Sequence, residues 1–456
     1  MNAFAIALNR FGLGVRSTEP LPADAQAWLL SQLDSYESLP APWRSLPRTA
    51  AHVEMWLAQQ RAVRQAPEGQ RSGIRETYLR KGREHYVAGV GARAGSALQT
   101  DTPFVERLVH FWANHFAVSV DKLAVIGLAG AFEADAIRPH VLGRFEDMLL
   151  AVVRHPTMLL YLDQAQSIGP NSVAGLRAQD RGRQQGRGLN ENLAREIMEL
   201  HTLGVRSGYT QDDVTEFARA LTGWTLPGED ARDAATGTFR FANALHEPGT
   251  RTVLRRSYPD GGEQQARAIL HDLVLAPATA QHIAGKLARH FVADEPPASL
   301  VQRLADTFSR TGGDLPSVYR ELVGAQEAWR PALTKFKSPW EWSISGLRAL
   351  GRLDMPAAQL VNLMNQLGQP VWRPGSPAGY DDVAGAWAAP DALLRRTEAA
   401  RRLAAMQPGN AIDARQLAPR ILPGSLSEAT AGAIARAESG GTALALLLVS
   451  PEFLRR

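Results

Sequence analysis

The stretch GLNENLAREIMELHTLGVRSGYTQDDVTEFARALTGWTL, residues 188–226, decides the fold that we expect for this chain of 456 residues. Its apolar side chains recur at helical spacing. Leu193, Ile197 and Leu200 are three or four residues apart, which predicts a helix over 190–203 with one buried face. The polar residues of the same segment fall on the opposite arc of that helix.

A second helix follows after a short turn. Gly204 is suited to end the first helix, because glycine readily adopts the left-handed conformation of a helix terminus. Thr210 and Asp213 resemble a capping box, with Asp in place of the usual Glu. These features predict a second helix over 211–222.

The same helical spacing of apolar residues continues through the rest of the chain, whereas alternating strand patterns are scarce. The best strand pattern is GTFRF at 237–241 followed by RTVLRR at 251–256, which predicts a small hairpin. We therefore expect an all-α protein, formed by a single large helical domain over 1–456 with one β-hairpin insertion at 237–256.

Two loops stand out between the predicted helices. The segment over 167–189 is rich in Gly, Arg, Gln and Asp, which predicts a mobile loop, either on the bare surface or as a lid over a neighbouring site. The segment over 367–381 contains three prolines and two aromatic residues, so we expect an extended, rigid loop that is suited to wall a pocket. GVGARAG at 89–95 lacks the spacing of a dinucleotide-binding motif.

Composition excludes several classes of protein. The chain has 50 Lys and Arg residues against 46 Asp and Glu residues, and no dense basic block with interleaved aromatic residues occurs. We therefore expect no nucleic-acid partner. The absence of Cys excludes disulfides, thiol catalysis, Cys-ligated zinc and iron–sulfur clusters.

The sequence gives no indication of a membrane span, since no run reaches about 18 consecutive apolar residues. The start, MNAFAIALNRFGLGVRS, has only a short apolar stretch that is broken by Asn9 and Arg10. This is not the pattern of a signal peptide, so a cytoplasmic location is the default expectation.

The first candidates for chemistry are Glu196 and Glu199. Residues three apart on a helix are neighbours, so the two carboxylates can approach each other. Such a pair either shares a proton, which raises one pKa, or shares a cation, and both outcomes are useful in catalysis. The alternative is an ion ladder of Glu191, Arg195 and Glu199 on a solvated helix face.

Two histidines lie on apolar helix faces, His201 on the first helix and His115 on a helix predicted over 102–118. Because a buried imidazole needs a hydrogen-bond partner, we expect the two to meet near acids, with Asp163 and the Glu196–Glu199 pair as candidates. The set has two interpretations. It is either an acid/base cluster or a site for a divalent metal held by His115, His201, Glu196 and Glu199. No HExxH and no ExxH pair occurs, which disfavours the metal.

Several long phrases resemble a known bacterial family. They are HFWANHFAVSVDK, MLLYLDQAQS, the opening stretch up to its TGW, ATAQHIAGKLARHFVAD and LGQPVWRPGSPAGYDD. They are similar to the family catalogued as domain of unknown function 1800, and the likeness runs from NRFGLG to the final helix. The resemblance implies frequent export, an envelope role, and a protein partner from a neighbouring uncharacterised family, number 1501, which looks like a sulfatase or phosphatase relative.

The recurring polar positions of that family match residues that the helical patterns already single out. We expect the catalytic residues to be Glu196, Glu199, His201, His115 and Asp163. We expect substrate binding by Asn114, Asn192, Arg195, Arg219, Thr222, Trp224 and His246. The chain departs from the family pattern at Ala113, Gln164 and Glu247, where His, Asn and Asp are common.

These residues favour an enzyme, most simply a hydrolase that acts on a carbohydrate-like envelope polymer. The two glutamates would share acid/base work, Arg219 would hold an anionic or polar group, and Trp224 and Trp372 would stack on a ring. A non-catalytic partner or scaffold, whose acid–Arg–His cluster only fixes helix packing, is the alternative. A His/carboxylate metalloenzyme is the third hypothesis.

Overall fold

The computed structural model describes residues 3–16, 23–180, 188–227, 238–407 and 412–456. Helices dominate these residues, and strands are confined to four short segments among them. The predicted all-α class is therefore confirmed.

The first half of the chain contains ten α-helices among its described residues. They are α1 (Ala3–Ile6), α2 (Ala25–Ser35), α3 (Ala41–Arg44), α4 (Thr49–Gln65), α5 (Arg71–Gln99), α6 (Pro103–His115), α7 (Ala129–Phe132), α8 (Phe145–Arg154), α9 (Pro156–Tyr161) and α10 (Val173–Asp180). Three π-helical turns are Ala7–Phe11, Glu133–Ile137 and Ile197–His201.

The helices continue in the second half. They are α11 (Asn192–Glu196), α12 (Gln211–Leu221), α13 (Glu263–Leu275), α14 (Pro277–Phe291), α15 (Ala298–Thr311), α16 (Leu315–Gly324), α17 (Pro339–Ala349), α18 (Ala357–Gln366), α19 (Ala384–Trp387), α20 (Pro390–Ala405), α21 (Ala414–Ile421), α22 (Glu428–Ala435) and α23 (Gly440–Leu448). The short 3-10 helices are Glu68–Gln70, Arg138–His140, Gln164–Gln166, Asn243–Leu245 and Gln326–Trp329.

Local sequence explains where the central helices begin. Thr210 accepts a hydrogen bond from the backbone of Asp213, whose side chain bonds back to Thr210, so the predicted capping box starts α12. Gly204 has a φ of 91°, as expected for the residue that ends a helix. The helix predicted over 190–203 is not regular, however, because α11 widens after Glu196 into the π-helical turn.

The predicted pairing of the hairpin is wrong. Among the described residues the strands are β1 (Trp224–Thr225), β2 (Arg240–Phe241), β3 (Arg251–Val253) and β4 (Arg256–Tyr258). β2 pairs antiparallel with β1, and β3 pairs with β4. The β3–β4 turn has positive φ at both Leu254 and Arg255, which is a type I′ conformation. Such turns usually contain Asn-Gly, so Leu-Arg gives no sequence signal for a turn at this position. Residue 237 of the predicted insertion lies outside the described residues.

The predicted loop over 167–189 is also partly wrong, because Val173–Asp180 form helix α10. Asn171, at the start of this segment, is held by Glu247, which accepts hydrogen bonds from its backbone N at 2.7 Å and its Nδ2 at 2.6 Å. Residues 181–187, on which the prediction of mobility falls, lie outside the described residues.

The longest helix, α5, was not predicted. Its 29 residues include five glycines, which lower the helix propensity of the segment by about 1 kcal/mol each. Packing explains one of them: a Cβ atom at Gly89 would lie 3.2 Å from Cζ3 of Trp372. The glycines of GVGARAG therefore permit close packing inside a helix and form no nucleotide-binding loop.

The hydrophobic core encloses several charged side chains, most of all those of helix α6. Buried apolar residues from Ile6 to Leu454 form one cluster. Every residue of α6 except Asn114 is buried, so the charged side chains of this helix are buried with it. Within the described ranges, no helix is both long enough and apolar enough to cross a membrane.

Candidate functional site

A cavity of about 260 Å³ lies between α6, α14 and the segment that joins α18 to α19. Its aromatic lining consists of Phe111, Trp340, Trp372 and Tyr380. At about 30 Å³ per water molecule, the space is sufficient for one ring with its substituents. The loop over 367–381, expected to be suited to wall a pocket, contributes Trp372 and Tyr380 to this wall.

Asn114 holds that loop against α6. Its Nδ2 donates to the carbonyl of Tyr380 at 2.8 Å, and its Oδ1 accepts from the backbone N of Tyr380 at 2.8 Å. The adjacent Gly379 has a φ of 83°, and a Cβ atom at this position would lie 2.3 Å from the backbone oxygen of Asn114. A glycine is therefore required for the loop to approach α6 this closely.

Trp372 occupies a strained backbone conformation at the cavity wall. Its φ is 49°, in a region that bulky residues rarely adopt and that costs about 1–3 kcal/mol. Its Nε1 donates to Glu133 at 3.1 Å, and the Arg93 guanidinium lies 5.6 Å from its ring centroid and 4.9 Å from that of Trp340. Strained residues of this kind cluster at ligand sites.

His290 and Asp382 form a directed pair at the cavity wall. His290 Nδ1 donates to Asp382 Oδ2 at 2.6 Å, and His290 Nε2 is buried with no hydrogen-bond partner among the described residues. Burial lowers the pKa of His290 despite the opposing effect of Asp382. Burial would raise the pKa of Asp382, but His290 and Lys335 lower it overall. The expected state is a neutral imidazole beside an ionised carboxylate.

Lys286 lies one helical turn before His290 on α14 and also lines the cavity. It makes no hydrogen bond and no ion pair with any described residue. Burial lowers its pKa to about 8, an effect that Asp382 partly opposes. A lysine in this state is a functional candidate, because structural lysines are normally paired or solvated.

Other buried charges around the cavity compensate one another. Glu341 pairs with Arg107 and, at 2.8 Å, with Arg456. Glu106 of α6 pairs with Arg138, and both side chains are almost completely buried. These ion pairs connect distant segments of the chain.

His115 and His201 do meet, with ring centroids 6.0 Å apart. His115 Nε2 donates to the carbonyl of His201 at 3.2 Å, and His282 Nε2 donates to the carbonyl of Leu200 at 3.0 Å. These two carbonyls belong to the π-helical turn after α11, where helical carbonyls lack intrahelical partners. Burial lowers the pKa of His201 to about 3 and that of His115 well below its usual value.

Glu196 and Glu199 lie outside the residues that line the cavity. Both are half-buried, and burial followed by the charge of Glu199 raises the pKa of Glu196. Glu199 is hydrogen-bonded to Tyr209, whose pKa is raised by burial and by this carboxylate. The charge of Glu199 therefore contributes to the raised pKa of Glu196, as the i, i+3 spacing predicts.

The remaining residues of the opening stretch are distributed differently. Arg195 pairs with Glu191 at 3.1 Å, which supports that half of the predicted ion ladder, and Asn192 is exposed. Asp163 lies 2.6 Å from Lys122 and has a left-handed φ of 59°. No contact of Asp163 with either predicted catalytic histidine is present among the described residues.

Trp224 cannot serve as a stacking platform in this conformation, because its side chain is 0% exposed and packs against Phe239. Thr222 is equally buried, and its hydroxyl accepts from the backbone N of Glu247 at 2.7 Å. His246 Nδ1 donates to the carbonyl of Thr222 at 3.0 Å. All three side chains are thus buried in this conformation, and their predicted contact with a substrate stays a prediction.

Arg219 pairs with Glu216 in its own helix and lies apart from the cavity, in a surface groove between α12 and the β3–β4 hairpin. The proposed metal ligands do not converge either. Among the described residues, no three His, Asp or Glu side chains are grouped closely enough to hold a metal ion.

The sequence patterns did not single out His290, Asp382 or the position of Lys286 at the cavity. A pattern was available in ATAQHIAGKLARHF, where His282, Lys286 and His290 are spaced by four residues and so share one face of α14. Asp382 carries no such pattern, because it comes from a segment 92 residues away from His290.

The fold and the site define a helical protein with a charged cavity that has aromatic walls. Residues 6–455 match the family described as "Protein of unknown function (DUF1800)", and the chain belongs to that family. No curated protein and no solved structure matches the chain.

Proposed function

We propose that the protein is an enzyme, that its reaction is a hydrolysis, and that the cavity is its active site. The observation that carries this proposal is the His290–Asp382 hydrogen bond. A carboxylate that accepts from Nδ1 fixes the tautomer of the ring and leaves the Nε2 lone pair available as a general base. The lowered pKa of His290 supports the same role, because a base must be unprotonated near neutral pH.

The substrate that we propose is a carbohydrate-like envelope polymer bound through a terminal unit. Trp340 and Trp372 contribute aromatic surface to the wall, and the volume of about 260 Å³ fits one sugar-sized ring. Exposed Arg289 on the cavity lining suits an anionic substituent of that unit.

Glu196 and Glu199 provide a second location for acid/base chemistry of the same class. The raised pKa of Glu196 supports this version, since a carboxyl group that is protonated more readily is a better general acid. The test must therefore distinguish the two locations.

The test measures hydrolysis of 4-nitrophenyl esters, phosphates and glycosides by the wild type, His290→Gln and Glu196→Gln, with His271→Gln as a surface control. We expect the wild type to turn over at least one substrate class. His290→Gln should lose about 100-fold or more of this activity, whereas Glu196→Gln and His271→Gln should change it little. A selective loss in Glu196→Gln would move the chemistry to the glutamate pair. Absence of turnover by the wild type in all three classes would contradict the proposed hydrolysis.

The alternative of a scaffold is favoured by one observation. Glu106, Arg138 and Glu133 form a charged network with side chains that are 0–1% exposed, as in a purely structural cluster. In that case the proposed partner of family number 1501 would bind the surface of the chain. Size-exclusion chromatography of the two purified proteins, alone and mixed, tests for a stable complex.

A further inference from the structure

Lys286 differs from the other lysines of the chain. There are five in all, and Lys81 is exposed on the surface of α5. The other three have partners: Lys122 with Asp163, Lys335 with Asp294 and Asp382, and Lys337 with Ser345 and the ring of Phe453. Lys286 lines the cavity and makes no hydrogen bond or ion pair within the described part of the chain.

The position of Lys286 on α14 brings it close to a proton-transfer group. His290 is four residues further along the same helix, so both side chains project from one face, and both line the cavity. The side chains of His290 and Lys286 therefore belong to the same wall. Nearby Asp382 is already bonded to His290 and Lys335, which leaves the Lys286 amine without an ion pair.

The surroundings keep part of this amine in its neutral form. Burial lowers the pKa values of His115, His201 and His282, so these three neighbours of Lys286 are neutral near neutral pH. Desolvation of this kind, which the charge of Asp382 opposes only in part, is one way in which a protein makes a lysine nucleophilic.

We propose that Lys286 is a nucleophilic amine that captures an aldehyde or ketone ligand in the cavity as an imine. Imine capture rests on the proposed function in one respect, because it assigns the substrate to the same cavity. It adds that this substrate carries a carbonyl group. Hydrolysis at His290 is not needed for capture.

The chemistry balances without an oxidant or reductant. The Nζ lone pair forms a bond to the carbonyl carbon, and one proton passes from Nζ to the carbonyl oxygen, which gives a neutral carbinolamine. The hydroxyl group of the carbinolamine then takes up a second proton and leaves as water while the Nζ lone pair forms the C=N bond, and loss of the remaining N–H proton leaves a neutral imine. His290 lines the same wall and can accept and return these protons.

The experiment uses 4-carboxybenzaldehyde as the probe and sodium cyanoborohydride as the hydride donor, which reduces the imine to a stable secondary amine. The full chain is treated near neutral pH and mapped by peptide mass spectrometry. We expect the adduct on Lys286 to form at least about 10-fold faster than the adduct on exposed Lys81. Equal rates at the two lysines, or no adduct on Lys286, would overturn the proposal.

Two variants provide matched controls. Lys286→Arg keeps the positive charge but should lose the fast adduct, whereas Lys81→Arg should keep it. The rate comparison within the wild type does not depend on the folding of either variant. If Lys286 forms the fast adduct but the protein hydrolyses none of the substrates, imine capture stands and only the proposed hydrolysis is rejected. If the protein hydrolyses a substrate but Lys286 forms no adduct, the hydrolysis stands and imine capture is rejected.

Discussion

His290 Nδ1 lies 2.6 Å from Asp382 Oδ2, and this bond joins α14 to the segment that walls the cavity. Asp382 Oδ1 lies 3.2 Å from the buried Lys335 ammonium. The Asp382 carboxylate is thus stabilised by both the imidazole and the ammonium group. The imidazole can donate to this carboxylate only through Nδ1.

This geometry determines the tautomer of His290. In nitrogen-15 NMR spectra near neutral pH, we expect His290 to be neutral with its proton on Nδ1, because burial lowers its pKa and the carboxylate fixes the proton. Asp382→Ala should remove the preference for this tautomer. Half-exposed His271 is the control, whose spectrum should be the same in both proteins. A wild-type His290 protonated only on Nε2 would contradict the prediction.

Neutralising Glu196 and neutralising Glu191 should change the free energy of unfolding in opposite directions. Glu196 has a raised pKa from burial and from Glu199, so its ionised form costs stability at neutral pH. Glu196→Gln should stabilise the protein by about 0.2–0.5 kcal/mol, the size of a like-charge helix pair. This gain should disappear as the pH falls and the carboxyl group of the wild type becomes protonated.

Glu191 is the matched control for that experiment. Hydrogen bonding from Thr215 and Gln211 lowers its pKa, so its stabilising effect is present above the unfolded-state pKa and is lost as the pH falls through the folded one. Glu191→Gln should therefore destabilise at neutral pH, by no more than about 1 kcal/mol for an exposed group. Urea unfolding at several pH values measures both variants, and equal signs at neutral pH would refute the assignment.

Gly379 should be far less tolerant of a side chain than its neighbour Gly375. At Gly379 the φ of 83° and the contact with Asn114 both oppose a Cβ atom, whereas nothing lies within 4 Å of a Cβ atom at Gly375. We expect Gly379→Ala to lower the free energy of unfolding by about 1–3 kcal/mol. Gly375→Ala should change it by less than about 0.5 kcal/mol. Similar values for the two variants would contradict the clamped loop.

Acid should destabilise the protein through its buried histidines. Burial, followed by the charges of Lys286 and His282, lowers the pKa of His201 from 6.5 to about 3. Below pH 6.5, His201 binds a proton in the unfolded chain but stays neutral in the folded protein. Stability is therefore lost as the pH falls from about 6.5 towards the pKa of His201 in the folded protein.

The variant His201→Phe isolates this effect. Within that pH window it should reduce the slope of unfolding free energy against pH by about 1.4 kcal/mol per pH unit, which corresponds to one proton. His271→Gln, a change on the surface, should leave most of the slope in place. An unchanged slope in His201→Phe would show that this ring is not held neutral.

The sequence predicted part of the local structure around the site. It predicted contact between His115 and His201 because each lies on the apolar face of a strongly amphipathic helix. It did not predict the π-helical turn over Ile197–His201, whose last two carbonyls accept tertiary hydrogen bonds from His282 and His115. The roles of the two histidines therefore depended on partners that helical periodicity does not reveal.

By itself the sequence determined the family, through its long matching phrases. It also determined the all-α class and the start of the helix at 211, because helical periodicity and capping are local properties of the chain. Only the tertiary structure decided that α5 is one long helix and that the cavity lies beside α14. Four of the five α5 glycines lie against neighbouring segments, Gly89 against Trp372 among them, and this close packing accompanies their low helix propensity. The site needs Asn114, His290 and Asp382 from three distant segments, and only burial of the shared core brings such segments together.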